Sequence, residues 1–235
     1  MVSGMYWSKG TRETNEDSLA LECVSSDRGK SVLMVVADGI GSMDYGEIAS
    51  GYVVECFVKW FYRYGIRLSG KRKYMITRSL NKCAYDCSQA MKHQAEKLGI
   101  NWGSTCALVC IWKGKYVALN IGDSVIVKIG RNKVSRLFDV DRNEKGMLVK
   151  ALGSMRYQRP NVRFGRLYKG EAMMVATDGF VEKISVNEMG EALHVDGEIT
   201  EDRINRRLSR LGGETIRRGG GDNKSAIYVY RKGWL

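Results

Sequence analysis

Acidic side chains stand at the ends of apolar runs in this chain. Asp38 follows the run Val32 to Ala37 and precedes Gly39, and Asp178 follows Met173 to Thr177 and precedes Gly179. Asp222 sits in Gly219-Gly220-Gly221-Asp222-Asn223, and Asp123 lies in Gly122-Asp123-Ser124. Glu16 and Asp17 open the first strand-like run. Singly, an Asp-Gly pair is a common turn signal. Gathered on one edge of a sheet, such carboxylates would repel one another unless cations held them or some stayed protonated. An all-oxygen ligand set without His or Cys suits Mg²⁺ or Mn²⁺ rather than zinc. Neighbouring glycines also let backbone carbonyls approach an ion.

The elements that must position these groups follow from periodicity. Residues 17–24 and 31–37 read as strands, the second apolar enough to be buried on both faces. A helix over 45–64 carries Ile48, Tyr52, Val53, Cys56, Phe57, Trp60, Phe61 and Tyr64 at helical spacing, and Gly65 ends it. A basic loop, Arg67 to Lys73, leads to a second amphipathic helix over 74–98, stopped by Gly99. Strands 104–112 and 116–121 form a hairpin through Lys113-Gly114-Lys115, and 125–129 and 134–138 another through Gly130-Arg131-Asn132. Residues 139–160 show no period and read as an exposed loop or small flap. Strands 161–168 and 171–177 are expected to pair through Lys169-Gly170. Helices follow near 180–193 and 200–211, the latter with Thr200 as N-cap, and a strand over 225–230 comes last. This pattern predicts the α+β class: a central β-sandwich of two antiparallel sheets flanked by α-helices, in one domain spanning 1–235.

Composition narrows the function classes. One proline and no low-complexity tract among 235 residues favour a single packed domain. The longest strongly apolar run is far short of the roughly 20 residues that a membrane span needs. With no signal-peptide core at the N-terminus, the expected location is the cytoplasm. Six cysteines could suggest zinc, with Cys83 and Cys87 one helical turn apart and His93 nearby, but both share a helical face with Ile76, Leu80 and Met91. Buried reduced thiols are the better reading. The net charge of +12 is concentrated in residues 61–160, while residues 1–60 are acidic on balance. Such a surface attracts phosphoproteins or nucleic acid alike. Nucleic acid is the weaker expectation, because Lys71-Arg72-Lys73 has no interleaved aromatic platform.

In order and content these motifs resemble the type 2C protein phosphatases, the metal-dependent serine/threonine phosphatase family, over nearly the whole chain. The resemblance rests on Arg12-Glu13-Thr14-Asn15-Glu16-Asp17, on Val36-Ala37-Asp38-Gly39-Ile40-Gly41 continuing to Gly46-Glu47-Ile48-Ala49-Ser50, and on Gly103-Ser104-Thr105. It continues through Asn120-Ile121-Gly122-Asp123-Ser124, Ala176-Thr177-Asp178-Gly179 and Gly221-Asp222-Asn223. It implies two Mn²⁺ or Mg²⁺ ions, with room for a third, and bacterial-type members are the nearest in pattern. Asp38 would bridge the pair. Glu16 and the Gly39 carbonyl would hold one ion, and Asp178 and Asp222 the other. Asp17 would act through metal-bound water, and Asp123 would support a weaker third ion. Arg12 would grip the substrate phosphate, while a hydroxide shared by the ions attacks phosphorus without a phosphoenzyme. Phosphoproteins made by a serine/threonine kinase would be the partners and the working form a monomer. The rival within the family is a phosphoprotein-binding scaffold that has lost turnover, against which the full set of acids speaks.

Three positions depart from that pattern. Ile40 stands where some members place a histidine, and His93 and His194 lie outside every motif. The leaving-group proton is therefore expected from water. Ser124-Val125 replaces a usual arginine position, and the stretch from Asp123 to Asp178 is short, which predicts a reduced flap.

Overall fold

The computed structural model describes residues 1–27, 29–130, 133–194 and 197–232. Its strands are β1 (Val2–Ser8), β2 (Asp17–Ser26), β3 (Gly29–Asp38), β4 (Cys106–Trp112), β5 (Lys115–Ile121), β6 (Val125–Ile129), β7 (Val134–Arg136), β8 (Asn161–Arg166), β9 (Ala172–Ala176) and β10 (Lys224–Tyr230). Its α-helices are α1 (Gly46–Arg63), α2 (Lys73–Leu98), α3 (Asp178–Val181), α4 (Val186–Leu193) and α5 (Glu201–Arg217). The strands form two antiparallel five-stranded sheets, one ordered β2-β3-β4-β5-β8 and the other β1-β10-β9-β6-β7.

The doubly apolar run of β3 explains the layering. Val32, Met34 and Val36 point inward and meet Ile126, Met173, Val175, Ile227 and Val229 of the facing sheet. The alternate residues Leu33, Val35 and Ala37 point outward and pack with Val53, Phe57, Phe61, Ile76, Leu80 and Met91 of α1 and α2. The second sheet covers its own outer face with Ile204, Leu208 and Leu211 of α5 and Phe180 of α3. Each fully buried aliphatic or aromatic side chain contributes roughly 1.5–3 kcal/mol, so the strand ends that carry the acids are anchored by a three-layered core. Cys87, Cys106 and Cys110 are buried in this core and all six thiols are free, with Cys83 pushed up to about 12 by burial. The expectation of buried thiols holds for Cys87, Cys106 and Cys110; Cys56 and Cys83 are only partly buried and Cys23 is exposed. Among the described residues no Cys or His joins a metal-ligating cluster.

Five features depart from expectation. Strands β8 and β9 do not form a hairpin: β8 pairs with β5, and β9 pairs with β6 and β10 in the other sheet. Leu167, fully buried, turns inward between them as the chain crosses from one sheet to the other. Strand β1 was not foreseen; it pairs with β10 along its whole length. The helix expected near 180–193 is broken into α3 and α4, because Ser185 starts a new helix by accepting from Glu188 N while Glu188 reaches back to Ser185 N, a reciprocal cap. Ser104 makes only isolated bridges, to Gly39 and Leu152, ahead of β4. The strand foreseen over 134–138 stops at Arg136, and its turn residues 131 and 132 lie outside the described residues. Thr200 caps α5 as expected, accepting from Arg203 N at 3.3 Å. No helix among the described residues is long and apolar enough to cross a membrane.

Candidate metal centre

Antiparallel pairing brings the end of one strand beside the start of its neighbour, and the acids occupy those junctions. Asp17 at the start of β2 pairs in register with Asp38 at the end of β3. Asp178 follows β9, Asp222 precedes β10, and Asp123 lies in the turn between β5 and β6. Arg12, Glu16, Asp38, Gly39, Asp123, Asp178 and Asp222 all line one cleft of about 430 Å³ at this end of the sandwich. Carboxylate oxygens of Asp38, Asp123 and Asp178 lie within 4.8 Å of one another. Of the acids foreseen, only Asp17 stays behind the cleft.

One half of the cleft is held by hydrogen bonds from paired strands and neighbouring turns. Thr105 N donates to the Asp38 carbonyl at 2.9 Å, and Ser104 Oγ donates to it at the same distance. Thr105 Oγ1 accepts from Asp38 N at 3.0 Å. Gly39 N donates to the Glu16 carbonyl at 3.0 Å. A Cβ on Gly39 would stand 2.2 Å from the Gly46 carbonyl, and one on Gly46 would stand 2.8 Å from the Glu16 carboxyl carbon. Glycine at both positions lets the first turn of α1 abut the end of β3 and the Glu16 side chain. Asn223 ties in the loop that carries Arg12 and Glu16. Its Nδ2 donates to the Lys9 and Thr14 carbonyls, each at 2.9 Å, and its Oδ1 accepts from Glu16 N at 2.9 Å. Arg12 is largely exposed, with Nε 3.3 Å from Asp222 Oδ1, so its guanidinium fronts the cleft. Lys224, fully buried beneath this corner with its pKa lowered by burial, donates to the Gly220 and Asp222 carbonyls and fixes the glycine-rich turn.

The other half is supplied from the 139–160 loop. Arg142 Nη2 lies 2.5 Å from Asp123 Oδ2 and 2.6 Å from Asp178 Oδ2. Sequence reading missed this residue, since nothing in an aperiodic loop 36 positions before Asp178 signals the contact. Asp141 fastens the loop: its N donates to the Gly122 carbonyl at 3.1 Å, and its carboxylate accepts from Gly122 N and from Lys150 Nζ. The loop expected to be exposed also buries Ala151 and Leu152, and stacks Tyr157 edge-on against Tyr85 of α2.

The electrostatics describe a site that wants cations. Burial, and then the charges of Asp17, Asp178 and Asp123, push Asp38 well above the ordinary carboxylate range. Asp17 rises to about 7 through burial, although its Oδ2 accepts from Thr177 Oγ1 at 2.9 Å. Its Oδ1 is buried without a partner. Burial and the neighbouring Glu47 raise Glu16, and burial and then Asp178 raise Asp123 against the opposing pull of Arg142. Crowded carboxylates with raised pKa values, an orphaned buried oxygen and a donor set made only of oxygen all fit divalent Mg²⁺ or Mn²⁺. His93 lies on exposed α2 surface and His194 ends α4, both away from the cleft.

The chain matches the family model of protein phosphatase 2C over residues 9–215. No curated protein matches it by sequence. Among solved structures, the S. agalactiae serine/threonine phosphatase superposes with a TM-score of 0.81 at 17% identity, covering 98% of this chain and 99% of that one. Stp1 from Staphylococcus aureus, a serine/threonine phosphatase, gives 0.81 at 19% identity over 99% and 96%. The catalytic domain of the phosphatase PstP, solved with two manganese ions, gives 0.75 at 19% identity over 96% of each chain. At such identities the superpositions establish the shared fold, two antiparallel sheets flanked by helices. The family match across most of the chain goes further: this protein belongs to the protein phosphatase 2C family, the metal-dependent serine/threonine phosphatases.

Proposed function

We propose that the cleft hydrolyses phosphoserine and phosphothreonine esters of proteins, with Glu16, Asp38 and the Gly39 carbonyl holding one divalent ion and Asp38, Asp178 and Asp222 a second. The convergence of these groups from four separate chain segments carries the reading. Two divalent ions bound there would supply a water whose pKa falls from about 15.7 toward 7.

The chain's own residues do the rest. Arg12, free on its solvent side, offers a planar fork to two phosphoryl oxygens and sets phosphorus in line for attack. Its ion pair with Asp222 keeps that fork at the mouth of the cleft. Asp17, buried behind Asp38, accepts a proton or orders a water without touching substrate. No cysteine or histidine lines the cleft, which supports direct attack by water over a covalent intermediate on those side chains. Ile40, at the position of the family's alternative histidine, leaves water as the source of the proton for the departing serine or threonine oxygen.

Phosphate monoesters on serine and threonine are made by protein kinases, so the partners are the phosphoprotein products of such a kinase. The reading extends to a monomer in the cytoplasm. An elution volume matching the 26.4 kDa chain checks the first point, and fractionation of cells the second. The deciding experiment is hydrolysis of a phosphothreonine peptide with Mn²⁺, with Mg²⁺ and with EDTA, with Asp38→Asn as control. Turnover that needs metal and disappears in the variant is expected. Folded protein that binds the peptide without turning it over under any condition would instead make it a phosphoprotein-binding scaffold.

A further inference from the structure

Arg142 is seated as carefully as any of the acids. Its Nη1 donates to the Gly146 carbonyl at 2.9 Å, across a tight turn bridged by Arg142 and Leu148. Asn143 Oδ1 accepts from Lys145 N and Met147 N, each at 3.0 Å, and Gly146 takes the left-handed backbone (φ 75°) that closes the turn. Asp141, one residue earlier, is pinned to Gly122 beside Asp123. The result is a guanidinium whose single Nη2 joins one oxygen of Asp123 to one oxygen of Asp178. A divalent ion bridging the same two oxygens would sit about 2.0–2.6 Å from each, where that nitrogen already stands. Two cations cannot share the place.

We propose that Arg142 is a built-in cation, which takes the outer position between Asp123 and Asp178 where a third divalent ion would otherwise bind. The inference rests on the metal-dependent reading above. It makes the seated loop and an ion at the outer position mutually exclusive. Metal added in excess then competes with Arg142 and releases residues 141–150 from the cleft, so ion concentration sets the state of the loop. Two ions remain bound on the strand-held side throughout.

The test counts ions rather than turnover. Mn²⁺ stoichiometry would be measured by equilibrium dialysis or calorimetry for the native chain and for Arg142→Gln, with thermal unfolding confirming that both are folded. The native chain is expected to bind two ions at moderate Mn²⁺ and the variant three, the added ion being lost again in the double variant with Asp123→Asn. Amide hydrogen exchange of 141–150 in the native chain provides the second readout. Protection should hold at two bound ions and fall as Mn²⁺ rises further. Equal counts of two in both proteins, or three in the native chain with the loop still protected, would overturn the proposal while leaving the two-ion reading intact. Binding of no ion by either protein would overturn both.

Discussion

The two halves of the acidic cleft are built by different means. Around Glu16, Asp38 and Asp222 the chain is held by backbone pairing, by the Thr105 and Ser104 clamp on Asp38, and by the three hydrogen bonds of Asn223. Around the outer oxygens of Asp123 and Asp178 the contact is an ion pair with one arginine on a loop. Hydrogen bonds between packed strands fix geometry whether or not an ion is present. An ion pair whose arginine is 41% exposed can be exchanged for another cation, provided the newcomer neutralises the buried Asp123 in its place. The first half therefore suits catalysis, and the second suits adjustment.

The sharpest way to break that contrast is to remove one acid from each half. Asp38→Asn should lower kcat/KM by on the order of 10³-fold or more, corresponding to about 4 kcal/mol of lost transition-state stabilisation. Asp123→Asn should lower it by only about tenfold. Equal losses in the two variants would erase the distinction. Arg12→Ala comes next, with a fall of about 10–100-fold in kcat/KM seen as a rise in KM for phosphopeptide. An unchanged KM would remove Arg12 from phosphate binding. Asn223→Ala should destabilise the protein by about 3 kcal/mol, three hydrogen bonds at about 1 kcal/mol each, and should copy the Arg12 defect by loosening its loop. Chemical denaturation together with steady-state kinetics reads both effects.

A milder effect concerns pH. Folding raises Asp17 from 3.8 to about 7, and Asp38 shifts the same way. The folded state thus favours their protonated forms, so this contribution to stability is complete below about pH 4 and is lost as pH rises through 7. Protein stripped of metal should melt at a lower temperature at pH 8 than at pH 5.5, and Mn²⁺ at pH 8 should raise the melting point again. A melting point in EDTA that stays level or climbs over this interval would contradict the account. The smallest expected effect is none: His93→Gln and His194→Gln should leave the pH–rate profile unchanged, and a limb lost in either variant would assign that histidine a proton transfer.

How far the fold could be read from sequence depended on where each signal resides. Strand β3 and helices α1 and α2 announce themselves because burial on one or two faces writes a period into Val32–Ala37 and into Val53, Phe57, Trp60 and Phe61, although Ile48 and Tyr64 at the ends of the expected stripe are exposed. Strand β1 (VSGMYWS) carries no such period. Its Gly4 is required by the close passage of α5, where a Cβ would stand 2.5 Å from Asn205 Oδ1. The turn at Lys169-Gly170 reverses the chain but holds no information about which sheet receives the next strand; partners distant in sequence decide that. The acids were legible through their place beside glycines at strand ends. Arg142, Asn223's grip on the Arg12 loop and buried Lys224 were not, since each works through contacts made across long stretches of chain.

The bond from Glu16 N to Asn223 Oδ1 spans 207 positions, and β1 lies in register against β10. A chain emerging from the ribosome therefore carries Arg12 and Glu16 long before the segment that orders them has been made. Until β10 inserts between β1 and β9, β1 is not joined to the second sheet and the acids have no common cleft. Closure over such a separation is entropically slow, so the acidic cleft cannot assemble until Asn223 has been made and has found its partners.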